Sequence, residues 1–260
     1  MSDVTEWWST DIIDMAPGQI RLRGHDIQDL IGEVSFAQMI WLMLRGEFPS
    51  EGQAALLNHA LVAGVDHGPQ APSIATARMA VTCGLSLNGA MASALNMLDD
   101  VHGGAGEQAV ELYRAIALSG DLGGELDRWQ AEVSRFIPGF GHRFHTPSDP
   151  RAPRLMELVE EAQVQGILDG TFLGIGRAVE TELAARKGKP VTMNIDGATA
   201  VIFAELGFDA PLARGLFCLS RSVGILAHAR EQQMQGGRNK GPTPPQYRWQ
   251  YTGLNPLKDT

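Results

Sequence analysis

The chain is poor in thiols, in strand signals and in positive charge. Only two of its 260 residues are cysteine, Cys83 and Cys218, far apart, with no CxxC pair and no Cys/His ligand spacing around them. That argues against a disulfide framework and a thiolate metal site, and two buried thiols in a reducing compartment are expected. Lys and Arg number 21 against 30 Asp and Glu, a net charge of −9. A protein of that sign has no global attraction for nucleic acid or anionic membranes, so neither is an expected partner. The opening MSDVTEWWSTD is acidic and polar, unlike a signal or transit peptide, and no uncharged apolar run approaches the length of a membrane span. A soluble, cytoplasmic protein is the expectation. Nucleotide-binding signatures are missing too: Gly174-Ile-Gly176 lacks a third glycine and lies inside helical sequence.

What the chain has is hydrophobic residues, 44% of the total, enough for a substantial core. They recur mostly at three- and four-residue spacing, broken by Gly/Pro clusters. Residues 35–46 read as a buried helix opened by Ser35 as N-cap and closed by Gly46. Further helices are expected over 51–64, 71–98 (one or two), 104–118, 124–135, 153–168, 171–186, 195–206 and 210–233. Short β pairing is plausible only near Gln19–Gly24, and the tail from Gly236 to Thr260 reads as an extended arm. The fold class is therefore all-α.

Four segments embed a titratable residue in a glycine-rich turn: Asp66-His67-Gly68-Pro69; His102-Gly103-Gly104-Ala105-Gly106-Glu107; Pro138-Gly139-Phe140-Gly141-His142-Arg143, followed by Asp149-Pro150-Arg151; and Asn194-Ile195-Asp196-Gly197. Glycine lets the backbone approach a ligand and expose its N–H groups. Each turn alone has a plainer explanation, a helix end with a capping imidazole or an Asx turn, and periodicity does not bring the four together.

The order DHGP, HGGAGEQA, PGFGHR, DPRA, NIDG and LSRSVGILAHAREQ, together with residues 18–50, resembles the citrate synthase superfamily over nearly the whole chain. DHGP and NIDG are more similar to citryl-CoA lyases, including the cleavage module of ATP-citrate lyase; HGGA is more similar to ordinary citrate synthases. The resemblance implies a large helical domain of residues 1–103 and 208–260, a small one of 104–207, and a cleft holding His102, His142 and Asp196. His102 would donate to the thioester carbonyl oxygen, Asp196 would move the α-proton, and His142 would serve the oxygen on the oxo-acid carbon. His67, Arg151 and Arg221 would hold the oxo acid, with Arg248 from a partner's C-terminal arm. Pro138, Gly139, Phe140, Gly141 and Arg143 would meet coenzyme A. A basic residue is often aimed at the CoA phosphates from the position of Thr146; Arg143, Arg154, Arg238 and Lys240 are the substitutes here.

The implied reaction is cleavage of citryl-CoA to acetyl-CoA and oxaloacetate. The alternatives are a citrate synthase and a non-catalytic acyl-CoA-binding relative. A thioester α-carbon is a weak acid, so the base needs a donor that stabilises the enolate oxygen, about 3–4 kcal/mol per positioned donor. One carboxylate and two imidazoles suffice, and no cofactor or metal is expected. A zinc site from His67, His102 and His142 lacks the usual ligand spacing. Guanidinium partners suit a dianionic oxo acid. The partners expected are these small molecules and a second copy in a homodimer. His25, His59 and His145 read as surface or capping groups, His228 as a helix-face residue, Glu107 as a favourable acid at a helix N-terminus, and Trp7, Trp8 and Trp41 as core or interface residues.

Overall fold

The computed structural model describes residues 4–142, 144–145 and 147–254. It is mostly helical. The N-terminal part forms one small antiparallel sheet of β1 (Ile13–Ala16), β2 (Gln19–Leu22) and β3 (His25–Asp26), in that order. Ala16 pairs with Gln19 across Pro17-Gly18, where proline presets the first turn residue and Gly18 takes the required left-handed φ of 80°. Leu22 pairs with His25 across Arg23-Gly24, both at positive φ. That turn matches the strand twist.

Among the described residues eleven α-helices follow: α1 (Ile27–Leu30), α2 (Phe36–Arg45), α3 (Glu51–Ala63), α4 (Pro72–Thr82), α5 (Leu87–Leu95), α6 (Ala105–Ser119), α7 (Leu122–Glu132), α8 (Arg151–Val164), α9 (Thr171–Lys187), α10 (Ile195–Glu205) and α11 (Ala210–Gln235). Ser35 caps α2 in a reciprocal capping box with Gln38, and left-handed Gly46 ends it, as the sequence predicts. Ser50 and Gln53 repeat the box on α3.

The chain divides into two compact units, Met1–Gly64 with Gly103–Leu219, and Val65–His102 with Ser220–Thr260. This groups 103–219 with 1–64, a different cut from the expected large and small domains, which are defined by their places around a substrate. In the first unit α10 is central. Every residue from Gly197 to Ala204 is buried, and α3, α6, α8 and α9 pack around it. A helix apolar on all sides has no face to give to water, so it takes the middle of the bundle. The second unit is smaller. Its core is alanine-rich, with Ala71, Ile74, Ala77, Ala90, Ala94, Ile225 and Ala229 joining α4, α5 and the end of α11.

Two expectations change. Cys83 is exposed, at the C-terminal end of α4, and Cys218 is half-buried, so neither is the buried thiol foreseen. Trp41 is buried, but Trp7 and Trp8 are exposed in this chain. By length and composition alone α11 could cross a membrane, with a stretch of mean hydropathy 1.2. It also carries Arg214, Arg221, Arg230 and Glu231.

Candidate active site

In the first unit, the loop Pro138–His142 is pinned to the segment before α10. The Gly141 N–H donates to the Thr192 carbonyl at 2.8 Å and the Asn194 N–H to the Gly139 carbonyl at 2.9 Å, with Phe140 and Met193 paired as a one-residue antiparallel bridge. Asn194 caps α10: its Oδ1 accepts from the N–H groups of Asp196 at 2.9 Å and Gly197 at 3.2 Å. Its Nδ2 donates to the Gly141 carbonyl at 2.7 Å. One amide thus ties the helix turn carrying Asp196 to the loop carrying His142. Asp196 itself is half-buried in the first turn of α10.

The close approach explains the glycines. A Cβ on Gly139, whose φ is 85°, would lie 2.6 Å from Gly197 Cα. Pro138, Gly139, Phe140 and Gly141 therefore form a tight loop that runs along the start of α10. Tyr113, fully buried, points its hydroxyl at the Gly197 carbonyl at 3.5 Å. Burial, reinforced by Glu180, drives its phenol pKa up, so it stays neutral.

His142 Nδ1 accepts from the N–H groups of Phe144 and His145, each at 3.0 Å. A neutral ring held this way carries its proton on Nε2. Partial burial, His145 and Arg151 lower its pKa, outweighing the opposing pull of Asp149. The ring is an uncharged donor at neutral pH.

Arg151, first residue of α8, meets Asp149 through two parallel bonds, Nε to Oδ1 at 3.0 Å and Nη2 to Oδ2 at 2.8 Å. The same carboxylate accepts from the N–H groups of Arg151 at 3.1 Å and Ile195 at 3.2 Å. Asp149 is fully buried. Burial alone would raise its pKa, but the hydrogen bonds and charge of Arg151, with the Ile195 N–H, bring it down to about 2. Arg151 thus has one edge committed to Asp149, an ion pair no spacing rule indicated.

In the second unit, the His102 Nε2 accepts from the Ser73 N–H at 3.1 Å, with Ser73 Oγ at 3.0 Å. Ser73 is in the first turn of α4, where N–H groups lack helical partners and the local potential is positive. Burial, then the charge of Arg221, lower the pKa of His102. The ring is neutral and its proton sits on Nδ1. Arg221 is itself buried on α11. His67 lies exposed on the turn before α4, between Asp66 and left-handed Gly68.

The first unit therefore brings together Asp196, His142, Arg151 and the Pro138–Gly141 loop; the second brings together His102 and Arg221, and carries His67. Arg248 is exposed in the tail. Arg143 and Thr146 lie outside the described residues. Of the remaining cations considered for the CoA phosphates, Arg154 is ion-paired to Glu157 at 2.9 Å and Glu161 at 3.6 Å, while Arg238 and Lys240 line a cavity of about 470 Å³ with Arg78 and Pro69. Glu107, read as a helix-terminus acid, makes an ion pair with Arg214 as well. The residues missed from sequence are Asp149, Asn194 and Ser73; of these only Asn194, two residues before Asp196 at a helix start, had a signal in the sequence.

The family model described as "Citrate synthase, C-terminal domain" matches residues 49–243. The chain belongs to the citrate synthase family. It superposes on the structure of citryl-CoA lyase from Hydrogenobacter thermophilus with a TM-score of 0.86 and 32% identity, covering 97% of both chains. Against ATP citrate lyase from Methanothrix soehngenii, solved with citrate and coenzyme A, the TM-score is 0.80 at 19% identity, covering 100% of this chain and 46% of that one. That likeness shows the fold alone. The citrate synthase of Acidithiobacillus ferridurans is 29% identical over 202 residues, 77% of this chain and 52% of its own length. The chain thus spans about half the length of the curated relatives it matches.

Proposed function

We propose that this family member is a citryl-CoA lyase, cleaving citryl-CoA to acetyl-CoA and oxaloacetate. The observation that carries the reading is the match to a citryl-CoA lyase structure, with a TM-score of 0.86 and 32% identity over 97% of each chain. Asp196, His102 and His142 would act on one substrate. Cleavage starts from the form in which Asp196 carries the proton and His142 Nε2 does not, a ring the two N–H donors on Nδ1 stabilise; Nε2 then takes the proton of the C3 hydroxyl. As the C–C bond breaks, the acetyl enolate oxygen is held by the His102 Nδ1–H, and Asp196 returns a proton to the α-carbon. Arg151, Arg221, His67 and Arg248 would grip the oxo-acid carboxylates, and the Pro138–Gly141 loop, with Arg143, would meet coenzyme A. The proposed steps need no metal or organic cofactor beyond the thioester itself.

A second reading, citrate synthase, is favoured by the curated relatives of that name. Supplying citryl-CoA separates the two. Acetyl-CoA and oxaloacetate without free CoA mark the lyase; citrate and free CoA mark the synthase; no turnover marks a non-catalytic acyl-CoA-binding relative. We place the working form in the cytoplasm as a homodimer. Support for the dimer comes from exposed apolar side chains in the second half of α11, Val223 at 59% and Leu226 at 41%, and from exposed aromatics in the tail, Tyr247, Trp249 and Tyr251.

A further inference from the structure

Asp66 precedes His67, and its carboxylate is built into the second unit from three directions. The Gly68 N–H donates to Oδ2 at 3.2 Å, and the His67 N–H closes on the same group. From α11, His228 Nε2 stands 3.3 Å from the carboxylate. The other nitrogen of that ring, Nδ1, is 3.1 Å from Arg78 Nη1 of α4. Arg78 has only hydrogens to give, so Nδ1 is the acceptor and the ring proton lies on Nε2, facing Asp66. Arg78 is fixed in turn by Glu231 and by Gln235 Oε1 at 2.7 Å, both on α11.

The backbone agrees with this arrangement. The Gly224 N–H of α11 donates to the Val65 carbonyl at 3.1 Å, and a Cβ there would collide with that oxygen. Asp66 and His228 are 162 residues apart in sequence, so the contact is a product of tertiary packing. His228 itself is only 18% exposed at its side chain. The hydrogen bonds from Gly68 and His228 converge on Oδ2, while the buried Oδ1 makes none among the described residues, so loosening His228 leaves the turn held by its backbone contacts alone.

We propose that His228 is a positioning residue for the oxo-acid end of the substrate: with its proton directed by Arg78, it holds Asp66 and so sets the turn that presents His67. The proposal rests on the reading that His67 binds the oxo acid. It adds that this grip is set by a ring with no substrate contact of its own. Glutamine at 228 keeps an N–H donor and an oxygen acceptor on its terminal amide; leucine keeps neither.

The test uses the full-length protein with His228→Leu and His228→Gln, assayed for cleavage of citryl-CoA and for the reverse reaction with varied oxaloacetate. His228→Leu is expected to raise KM for the oxo-acid-bearing substrate about tenfold with kcat within about twofold, and His228→Gln to restore KM to within about threefold. In a His67→Ala background His228→Leu should add nothing further. Unchanged KM in His228→Leu, equal damage in both variants, or full additivity with His67→Ala overturns the proposal. Imidazole nitrogen NMR supplies an arm that needs no turnover: the signals lost in folded His228→Gln should belong to a ring protonated on Nε2. A ring protonated on Nδ1 overturns the proposal even if the protein cleaves nothing, whereas absent turnover with the Nε2 signature indicts the lyase reading instead.

Discussion

Asn194 donates its side-chain N–H to the Gly141 carbonyl at 2.7 Å while the same amide's oxygen accepts from the Asp196 N–H at 2.9 Å. The candidate base and the candidate oxygen partner His142 are therefore placed by one side chain that itself titrates nowhere. Asn194→Ala removes a helix cap, worth about 1 kcal/mol, and frees the loop as well. Its turnover should fall at least about tenfold, beyond what lost stability explains. Asn194→Asp keeps the capping oxygen and loses the donor to Gly141. It should retain the urea midpoint better than the turnover. Urea titrations paired with kcat for both variants check this.

Asp149 is buried and joins Arg151 to the start of α10 through the Ile195 N–H. Its folded pKa, about 2, lies below the ordinary 3.8, so the unfolded chain binds the proton more readily. The stabilisation is complete above that ordinary value and is lost as pH falls from there through about 2. Asp149→Asn should cost about 3 kcal/mol at neutral pH by leaving Arg151 uncompensated, and should flatten the acid limb of stability against pH. Denaturant curves at several pH values below 4.5, wild type against variant, measure both.

Gly197 sits where α10 touches the Pro138–His142 loop. A Cβ there would strike the Gly139 carbonyl oxygen and stand 2.8 Å from Met193 Cγ. The obstruction is backbone on one side and cannot rotate away. Gly197→Ala should lower stability by about 1–3 kcal/mol as overpacking does, and open the Asn194 N–H to Gly139 bond. Thermal unfolding and amide exchange at Asn194 report the two effects.

Asp196→Asn and His102→Ala should each cut turnover at least about a hundredfold, as expected for a positioned base and a positioned donor. Asp196→Asn should also abolish exchange of the acetyl-CoA methyl protons with heavy water. Near-normal exchange in that variant refutes the assigned base. Both His102 and His142 have pKa values below the ordinary histidine range, so the unfolded chain takes up their protons first as pH falls. Stability should decline as pH drops below the ordinary value of 6.5, and both rings should remain neutral at that pH. Histidine C2–H titration followed by NMR, with each ring assigned by its alanine variant, reads this directly.

Much of this architecture was legible in the residues. Ser35, Gly46 and the apolar spacing located α2 because caps and periodicity are local signals. The helix over 195–206 follows from apolar spacing, and the structure adds Asn194 as its N-cap. The sheet is only half visible: the Gln19–Gly24 stretch carries a strand signal, but its partner Ile13–Ala16 is four residues long and exposed throughout, too short for its alternation to stand out. Contacts across long chain separations were not legible. Nothing near Ser73 shows that its N–H will meet His102, 29 residues on, and Asp149 reads as a turn acid until Arg151 and Ile195 are seen around it.

The two imidazoles are anchored through opposite atoms, His102 by Nε2 and His142 by Nδ1. The proton accordingly sits on Nδ1 in His102 and on Nε2 in His142, so one is a short arm and the other a long one. In His102 the offered proton sits near the main chain, where a flat group can lie close against the polypeptide. In His142 it sits at the ring's outer tip, farthest from that residue's own main chain. Exchanging the anchors would leave both side chains in place and put each proton on the wrong side of its ring.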